Sequence, residues 1–181
     1  MTHASTSTAC AARELLGRGG PREILTRIVP GDPLGIRPRA ARRVLERALL
    51  FEVESVALRA LALTAARGPG YRGKPGLEPW LDARVDEALD ELLAEEQAGA
   101  PRALSAARPI AEGLGLRPEE VAGGRARFHA LALEDRDAFH RLVLEARPLE
   151  EIARELGLGA EVVARRARRG LLAFVAAEVR P

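Results

Sequence analysis

The chain has 181 residues, of which 47% are hydrophobic and 30% charged, and its formal net charge at pH 7 is +2. This length is enough for one ordinary domain or two small ones. The single cysteine, Cys10, excludes a disulfide framework or a cysteine-based metal site within one chain. We see no apolar run long enough for a membrane helix, so we expect a cytoplasmic protein without a membrane partner.

Leu, Ala, Arg and Glu dominate the composition, and they favour helices, so the sequence predicts an all-α fold. Lys74 is the only lysine, so nearly all of the basic charge is arginine. Arginine suits phosphate contact, but a GC-rich genome enriches it as well. No pattern of residues indicates a catalytic site, a metal site or a cofactor.

The first half of the chain predicts a flexible polar tail over 1–20, followed by a helical domain over 21–98. Within this domain the stretch 37–66 reads as one long helix. The segment 68–76, rich in Gly and Pro, reads as a loop, and 77–97 reads as the next helix.

The second half predicts a linker over 99–116 and a helical domain over 117–181. Residues 110–122 resemble 152–164 position by position. They are either two unrelated cases of a helix, a glycine stop and a new helix, or a duplicated DNA-binding unit whose first copy has lost its arginines.

The stretch 148–174 fits a helix-turn-helix, in which Gly157 turns the chain in a left-handed conformation. The small Ala153 allows close approach of the second helix, and three apolar side chains close the core between the helices: Leu156, Leu158 and Val163. The second helix is expected to turn Val163, Ala167, Leu171 and Phe174 inward. Its outward or flanking side chains are expected to contact DNA, with Arg168 nearer the edge. They are Arg165, Arg166, Arg168 and Arg169.

Residues 128–174 resemble the C-terminal domain of bacterial RNA polymerase sigma factors. The residues that carry this resemblance are Leu133, Arg136, Phe139, Glu145 to Pro148, Glu151, Ile152, Ala153, Leu156, Gly157, Val163, Arg166 and Arg169. Residues 58–93 resemble the sigma domain that grips polymerase and opens the promoter. Here the matching residues are Tyr71, Arg72, Gly73, Leu77, Trp80 and Leu81.

The order and small size of the two regions resemble the extracytoplasmic-function sigma factors. The resemblance implies that core RNA polymerase and promoter double-stranded DNA are partners, with an anti-sigma protein as a further one. It implies DNA contacts by the four arginines of the last helix, by Glu161, and by Tyr71, Arg72 and Lys74 of the loop. It implies polymerase contacts by Glu52, Glu54 and Arg59.

One feature departs from the sigma pattern. Six carboxylates stand where the family has a nucleic-acid-facing surface: Asp86, Glu87, Asp90, Glu91, Glu95 and Glu96. Carboxylates repel phosphates. We therefore expect the first domain to bind the polymerase clamp better than single-stranded DNA, and we expect Trp80 to be buried against the helix at 37–66.

Two alternatives to a sigma-like initiation factor stay open. One is a sigma-derived regulator that binds duplex DNA without initiating transcription. The other is a helical adaptor without nucleic-acid function, whose acidic helix docks a basic partner.

Overall fold

The computed structural model describes residues 14–99, 111–112 and 117–175, and every regular element within them is helical. The predicted all-α fold is therefore confirmed for this part of the chain. Its longer helices are α1 (Pro21–Ile28), α2 (Ile36–Glu46), α3 (Val53–Arg67), α4 (Leu77–Gln97), α5 (Pro118–His129), α6 (Leu133–Phe139), α7 (Leu149–Leu156) and α8 (Ala160–Val175). A 3-10 turn, Gly68–Gly70, follows α3, and a π-helical turn, His140–Leu144, continues α6. No helix among the described residues is long and apolar enough to cross a membrane.

The described residues form two compact units. Unit one takes in 14–43 and 51–92, and unit two takes in 44–50 and the described residues from 93 onward. The segment 44–50 thus belongs with the second half of the chain. Most of the predicted linker, residues 110 and 113–116 of the echo at 110–122, and the first thirteen residues of the predicted tail lie outside the described residues.

Unit one packs α1 against α3 around fully buried aliphatic side chains. They include Ile24, Ile28, Val56, Leu61, Leu81, Val85 and Leu89. Leu16, inside the segment predicted to be a flexible tail, is buried, and its side chain and backbone lie close to Gly68. The ordered core of this unit therefore begins before residue 21.

The prediction of one long helix over 37–66 is wrong, because α2 ends at Glu46 and α3 begins only at Val53. Ala48 takes a left-handed conformation with φ 44°, and its N–H donates to the carbonyl of Leu45. The N–H of Leu49 donates to the carbonyl of Val44 at 2.9 Å, which completes a Schellman motif. Val44, Ala48 and Leu49 are all buried, so burial outweighs the steric penalty of alanine at this position.

Unit two is built around α8, which packs against α5, α6 and α7. One core cluster joins three aromatic rings, Phe128, Phe139 and Phe174, whose centroids lie 5.1 to 5.8 Å apart. A second cluster lies between α6, α7 and α8 and contains Ala138, Ile152, Ala153, Val163 and Ala167. Together the two clusters hold α8 along its length.

Two helical glycines let these helices approach closely. A Cβ on Gly124 of α5 would lie 2.9 Å from the Cα of Phe174, and a Cβ on Gly170 of α8 would lie 2.6 Å from the Cβ of Phe139. Real Cβ atoms do not come that near, so each position is shaped for glycine. The closely packed α5, α6 and α8 are the platform that holds the candidate site.

Candidate nucleic-acid interface

A tight turn joins α7 to α8. Gly157 has φ 63°, as expected for the left-handed turn position, and its N–H donates to the carbonyl of Arg154. The N–H of Leu158 donates to the carbonyl of Ala153 at 2.9 Å, so α7 ends in a second Schellman motif. Leu156 and Leu158 pack against the cluster that contains Ala153 and Val163, as predicted.

The inward face of α8 differs from the prediction at one residue. Val163, Ala167 and Phe174 are buried as expected, but Leu171 is 41% exposed. Gly170 takes the inward position instead, because Phe139 occupies the space where a side chain at 170 would lie. Leu171 is thereby turned toward solvent, and its assignment to the inward face is wrong.

The outward face of α8 carries Glu161, Arg165, Arg168 and Leu172, at helical spacings of four, three and four, and all four are exposed. Arg168 was expected nearer the edge, but it lies in the same exposed row as Arg165. Within the described part of the chain, no hydrogen bond or ion pair engages the guanidinium of either arginine. Both fixed positive charges are therefore available to an external anion.

The other two arginines of α8 have different surroundings. Arg166 is partly buried beside the inward face, and no described residue bonds its guanidinium. Arg169 donates from Nε and Nη2 to the two carboxylate oxygens of Asp135, at 2.7 and 2.5 Å. This bond raises the pKa of Arg169, and it neutralises Asp135, which is only 8% exposed. Arg169 thus stays exposed, but its guanidinium is bonded to a carboxylate of α6.

The acidic helix α4 differs more strongly from the expectation. In unit one its carboxylates accept from arginines of α2 and α3: Asp86 pairs with Arg43 at 3.4 Å, and Glu91 pairs with Arg59 at 2.9 Å. Glu87 pairs with Arg67 and with Arg84, and Asp90 and Glu95 are also engaged. Glu96 is buried in unit two. All six carboxylates thus have partners within the chain, and the expected preference of the first domain for the polymerase clamp over single-stranded DNA stays a prediction.

The residues expected to contact polymerase lie at the start and middle of α3. Glu54 accepts two hydrogen bonds of 3.1 Å from Arg37, and Arg59 donates to Glu91. Glu52 accepts from the hydroxyl of Ser55 at 3.3 Å. All three side chains are thus engaged within unit one, and none is buried.

The loop over 68–76 brings Tyr71 onto Trp80, with ring centroids 4.7 Å apart. Trp80 is 8% exposed, so its predicted burial is confirmed, although no continuous helix spans 37–66. The Tyr71 hydroxyl donates to the carbonyl of Pro75, and Arg72 donates to the carbonyl of Pro69. Arg72 and Lys74 stay exposed, whereas Tyr71 is half-buried.

A buried polar cluster in unit two was missed at the sequence level. Glu96 accepts from the guanidinium of Arg125 and from Nδ1–H of His129, the latter at 2.5 Å. The Nε2 of His129 accepts the N–H of Leu50 at 3.0 Å, so the ring proton lies on Nδ1. The i, i+4 spacing of Arg125 and His129 is the only signal the sequence offered.

The environment sets the protonation of this cluster. Burial lowers the pKa of His129, and the bond to Glu96 opposes that shift without overcoming it. Burial alone would raise the pKa of Glu96, but His129 and Arg125 outweigh it and leave that pKa below its ordinary value. The cluster is a neutral histidine bonded to an arginine–carboxylate ion pair, and it fastens the segment 44–50 within unit two.

Comparison with known proteins adds no relative. No family model, no curated protein and no solved structure matches the chain. The geometry of unit two is therefore the basis for a functional proposal.

Proposed function

We propose that the chain is a sigma-like transcription initiation factor that binds promoter duplex DNA through a helix-turn-helix formed by α7 and α8. The observation that carries this proposal is the outward row of Arg165 and Arg168, whose guanidiniums are exposed and unbonded among the described residues. Arginine in such a row bonds both guanine edges and phosphates in a major groove.

The contrast with the rest of unit two supports this choice. Arg141 donates to Asp137 and Glu155, and Arg147 donates to Glu151 and Glu155. Many of the chain's arginines thus have carboxylate partners, and surface pairs of this kind leave little charge for an external phosphate. The charges of Arg165 and Arg168 stay available to such a phosphate. Glu161, one turn before Arg165, is a candidate acceptor for a cytosine amino group.

Arg166 and Arg169 take different roles within the proposal. Arg166 flanks the row and reaches a phosphate at the groove edge. Arg169 serves the fold through Asp135 and contributes its charge to the local potential. The DNA-reading role expected of all four arginines is therefore proposed chiefly for Arg165 and Arg168.

The role of unit one rests on the sigma-like motif around Tyr71 and Trp80. We infer that this unit binds core RNA polymerase, with Glu52, Glu54 and Arg59 of α3 on the contacting surface. The internal pairing of the α4 carboxylates reduces the repulsion of a single strand that their number suggested. Arg72 and Lys74 are the exposed cations of the loop, and they are the proposed strand contacts.

The adaptor alternative, in which the acidic helix docks a basic partner, is less favoured, because the α4 carboxylates already have partners within the chain. The regulator alternative keeps the DNA-binding part of the proposal and drops initiation. Co-purification of the full-length protein with core RNA polymerase separates the two. Sequence-selective duplex binding without stable polymerase association would favour the regulator.

The DNA-reading helix is tested by fluorescence anisotropy with a labelled mixed-sequence duplex at low salt. We expect Arg165→Ala and Arg168→Ala to weaken binding, by about 1–3 kcal/mol where the lost contact is to a base. Where the lost contact is to a phosphate, the slope of log affinity against log salt falls by about 0.9. Helicity by circular dichroism stays unchanged, because both side chains are exposed.

Arg117→Ala is the matched control, since it removes one positive charge at the N-cap of α5 in the same unit, where Arg117 pairs with Glu120. Its affinity should stay close to wild type. Equal binding by wild type, Arg165→Ala and Arg168→Ala would remove α8 as the DNA-reading helix.

A further inference from the structure

Arg136 on α6 is a half-buried arginine without a counter-ion. Within the described ranges no hydrogen bond or ion pair engages its guanidinium, and its Nε is enclosed without a partner. Arg141, one turn and a residue later, shows the usual arrangement, because it bonds both oxygens of Asp137 at 2.9 and 3.0 Å. Arg136 therefore lacks the carboxylate partner that Arg141 has, although it is half-buried.

His140 lies four residues after Arg136, on the same side of the helical segment. Its Nε2 is also enclosed and has no hydrogen-bond partner among the described residues. Burial lowers the pKa of His140, Arg136 adds to that effect, and a backbone hydrogen bond to Leu49 together with Glu145 and Asp137 opposes it. Two polar groups with unfilled hydrogen-bonding capacity thus lie one turn apart.

A second positive charge lies close to Arg136. Burial and the charge of Arg47, in the segment 44–50 of the same unit, lower the pKa of Arg136. No carboxylate offsets these two effects on Arg136, and the nearby Asp137 is bonded to Arg141. A half-buried guanidinium whose charge no described carboxylate offsets, and whose Nε–H is enclosed without an acceptor, is unfavourable when nothing binds it.

We propose that Arg136, with Arg47 and His140 beside it, forms a binding site for a phosphate group. A guanidinium presents paired N–H donors that match two phosphate oxygens, and a second arginine adds charge without needing a shared carboxylate. His140 already donates one ring N–H to the backbone of Leu49, so it takes up a proton at Nε2 when the phosphate binds, and this Nε2–H donates a further hydrogen bond to the phosphate. The phosphate belongs either to a DNA backbone or to a free phosphate compound. Only the first of these sources rests on the proposed function.

The site itself is tested with inorganic phosphate added to the full-length protein, against sodium chloride at matched ionic strength. We expect a saturable shift of the Arg136 Nε–Hε and His140 ring resonances, and a rise in Tm that chloride does not produce. In Arg136→Met the His140 shift and the Tm response disappear. A response that is linear in phosphate concentration, or equal in wild type and Arg136→Met, would overturn the proposal.

Two further variants provide a conservative substitution and a control for this test. Arg136→Lys keeps the positive charge and the aliphatic part of the side chain but loses the paired N–H donors. It should therefore weaken phosphate binding several-fold. It also replaces Arg136→Met in the test if that variant does not fold. Arg117→Met removes an exposed arginine at the N-cap of α5 and should keep the full phosphate response. Loss of the response in Arg117→Met would show a non-specific charge effect and count against the site.

The source of the phosphate is decided by duplex binding of Arg136→Met. A uniform loss of affinity for all sequences, with a salt slope smaller by about 0.9, identifies a DNA phosphate. Unchanged duplex affinity, together with a lost response to inorganic phosphate, identifies a free phosphate compound. If the proposed DNA-binding function is wrong but the phosphate site is real, the wild-type protein binds no duplex and still responds to inorganic phosphate.

Discussion

Gly123 and Gly124 are neighbours on α5 with opposite surroundings. Gly123 is exposed, and a Cβ there would meet only the end of the Arg127 side chain at 3.5 Å. Gly124 is buried, and a Cβ there would meet the backbone of Phe174 on α8. An alanine at position 123 therefore measures the helix-forming preference of alanine. An alanine at position 124 measures the need for glycine where α5 and α8 cross.

We expect Gly123→Ala to stabilise the protein by about 0.5–1 kcal/mol, because alanine loses less conformational freedom in a helix. Gly124→Ala should destabilise it by about 1–3 kcal/mol, because α8 must move to admit the methyl group. Urea denaturation of the two variants measures both effects. A gain in stability for Gly124→Ala would contradict the close approach of α5 and α8.

His129 makes the stability of unit two depend on pH. Its folded-state pKa lies below the ordinary value of about 6.5, because the ring is buried and its Nε2 accepts the Leu50 N–H. Between these two pKa values the unfolded chain binds more protons than the folded one, so stability rises with pH. The full stability is present above about pH 6.5 and is lost as the pH falls toward the folded-state pKa.

Urea unfolding from pH 7.5 down to pH 5 measures this loss, and His129→Gln is the comparison, because it cannot titrate. Its stability should fall less over the same range, although His140, whose pKa burial also lowers, contributes to both proteins. An equal slope in the two proteins would show that His129 does not titrate differently on folding. The chemical shift of the Leu50 amide should follow the titration in wild type only.

At the scale of elements, the turn between α7 and α8 depends on the backbone of Gly157. Nothing lies within 4 Å of a Cβ built there, so an alanine meets no clash and suffers only the strain of φ 63°. Gly159, which accepts the first backbone bonds of α8 at its carbonyl, also has open space but no positive φ. A substitution at Gly157 therefore measures backbone strain, and a substitution at Gly159 measures N-capping of α8.

We expect Gly157→Ala to destabilise the protein by about 1 kcal/mol through left-handed strain. Gly159→Ser should stabilise it by several tenths of a kcal/mol, because serine can cap the N-terminus of α8. Thermal or urea unfolding checks both. Equal stability of Gly157→Ala and wild type would contradict the Schellman turn, which positions α8 for the proposed DNA contact.

The helices of unit one show how charge is distributed between elements. α2 and α3 supply arginines and α4 supplies carboxylates, including Asp82, which bonds Arg39 at 2.8 Å and Arg42 at 3.1 Å. Exposed pairs of this kind contribute little to folding stability individually. Their consequence is electrostatic, because they cancel the acidic surface that the sequence of α4 suggests when it is considered alone.

At the scale of the whole molecule, the net charge of +2 gives little indication of where the chain binds an anion. The relevant distinction is between arginines that have a carboxylate partner and those that do not. Arg165 and Arg168 on α8, and Arg136 on α6, belong to the second group within the described residues. They are the basis of the two proposals for unit two. Arginines such as Arg169 and Arg141 differ from them because each is bonded to a carboxylate.

The sequence by itself determined the helical class, the left-handed Gly157, the buried Trp80 and three inward residues of α8, namely Val163, Ala167 and Phe174. These features follow from composition, spacing along one helix and the conformational freedom of glycine, which act over a few residues. Sigma-like function and DNA binding remain predictions.

Only the tertiary structure decided the break at Ala48, the exposure of Leu171 and the partners of the charged side chains. Arg169 meets Asp135 across 34 positions of sequence, and His129 meets Glu96 across 33. Each of these outcomes depends on which helices pack together, because a buried side chain or ion pair gains its free energy from a neighbour distant in sequence. Periodicity along one helix carries no information about that neighbour.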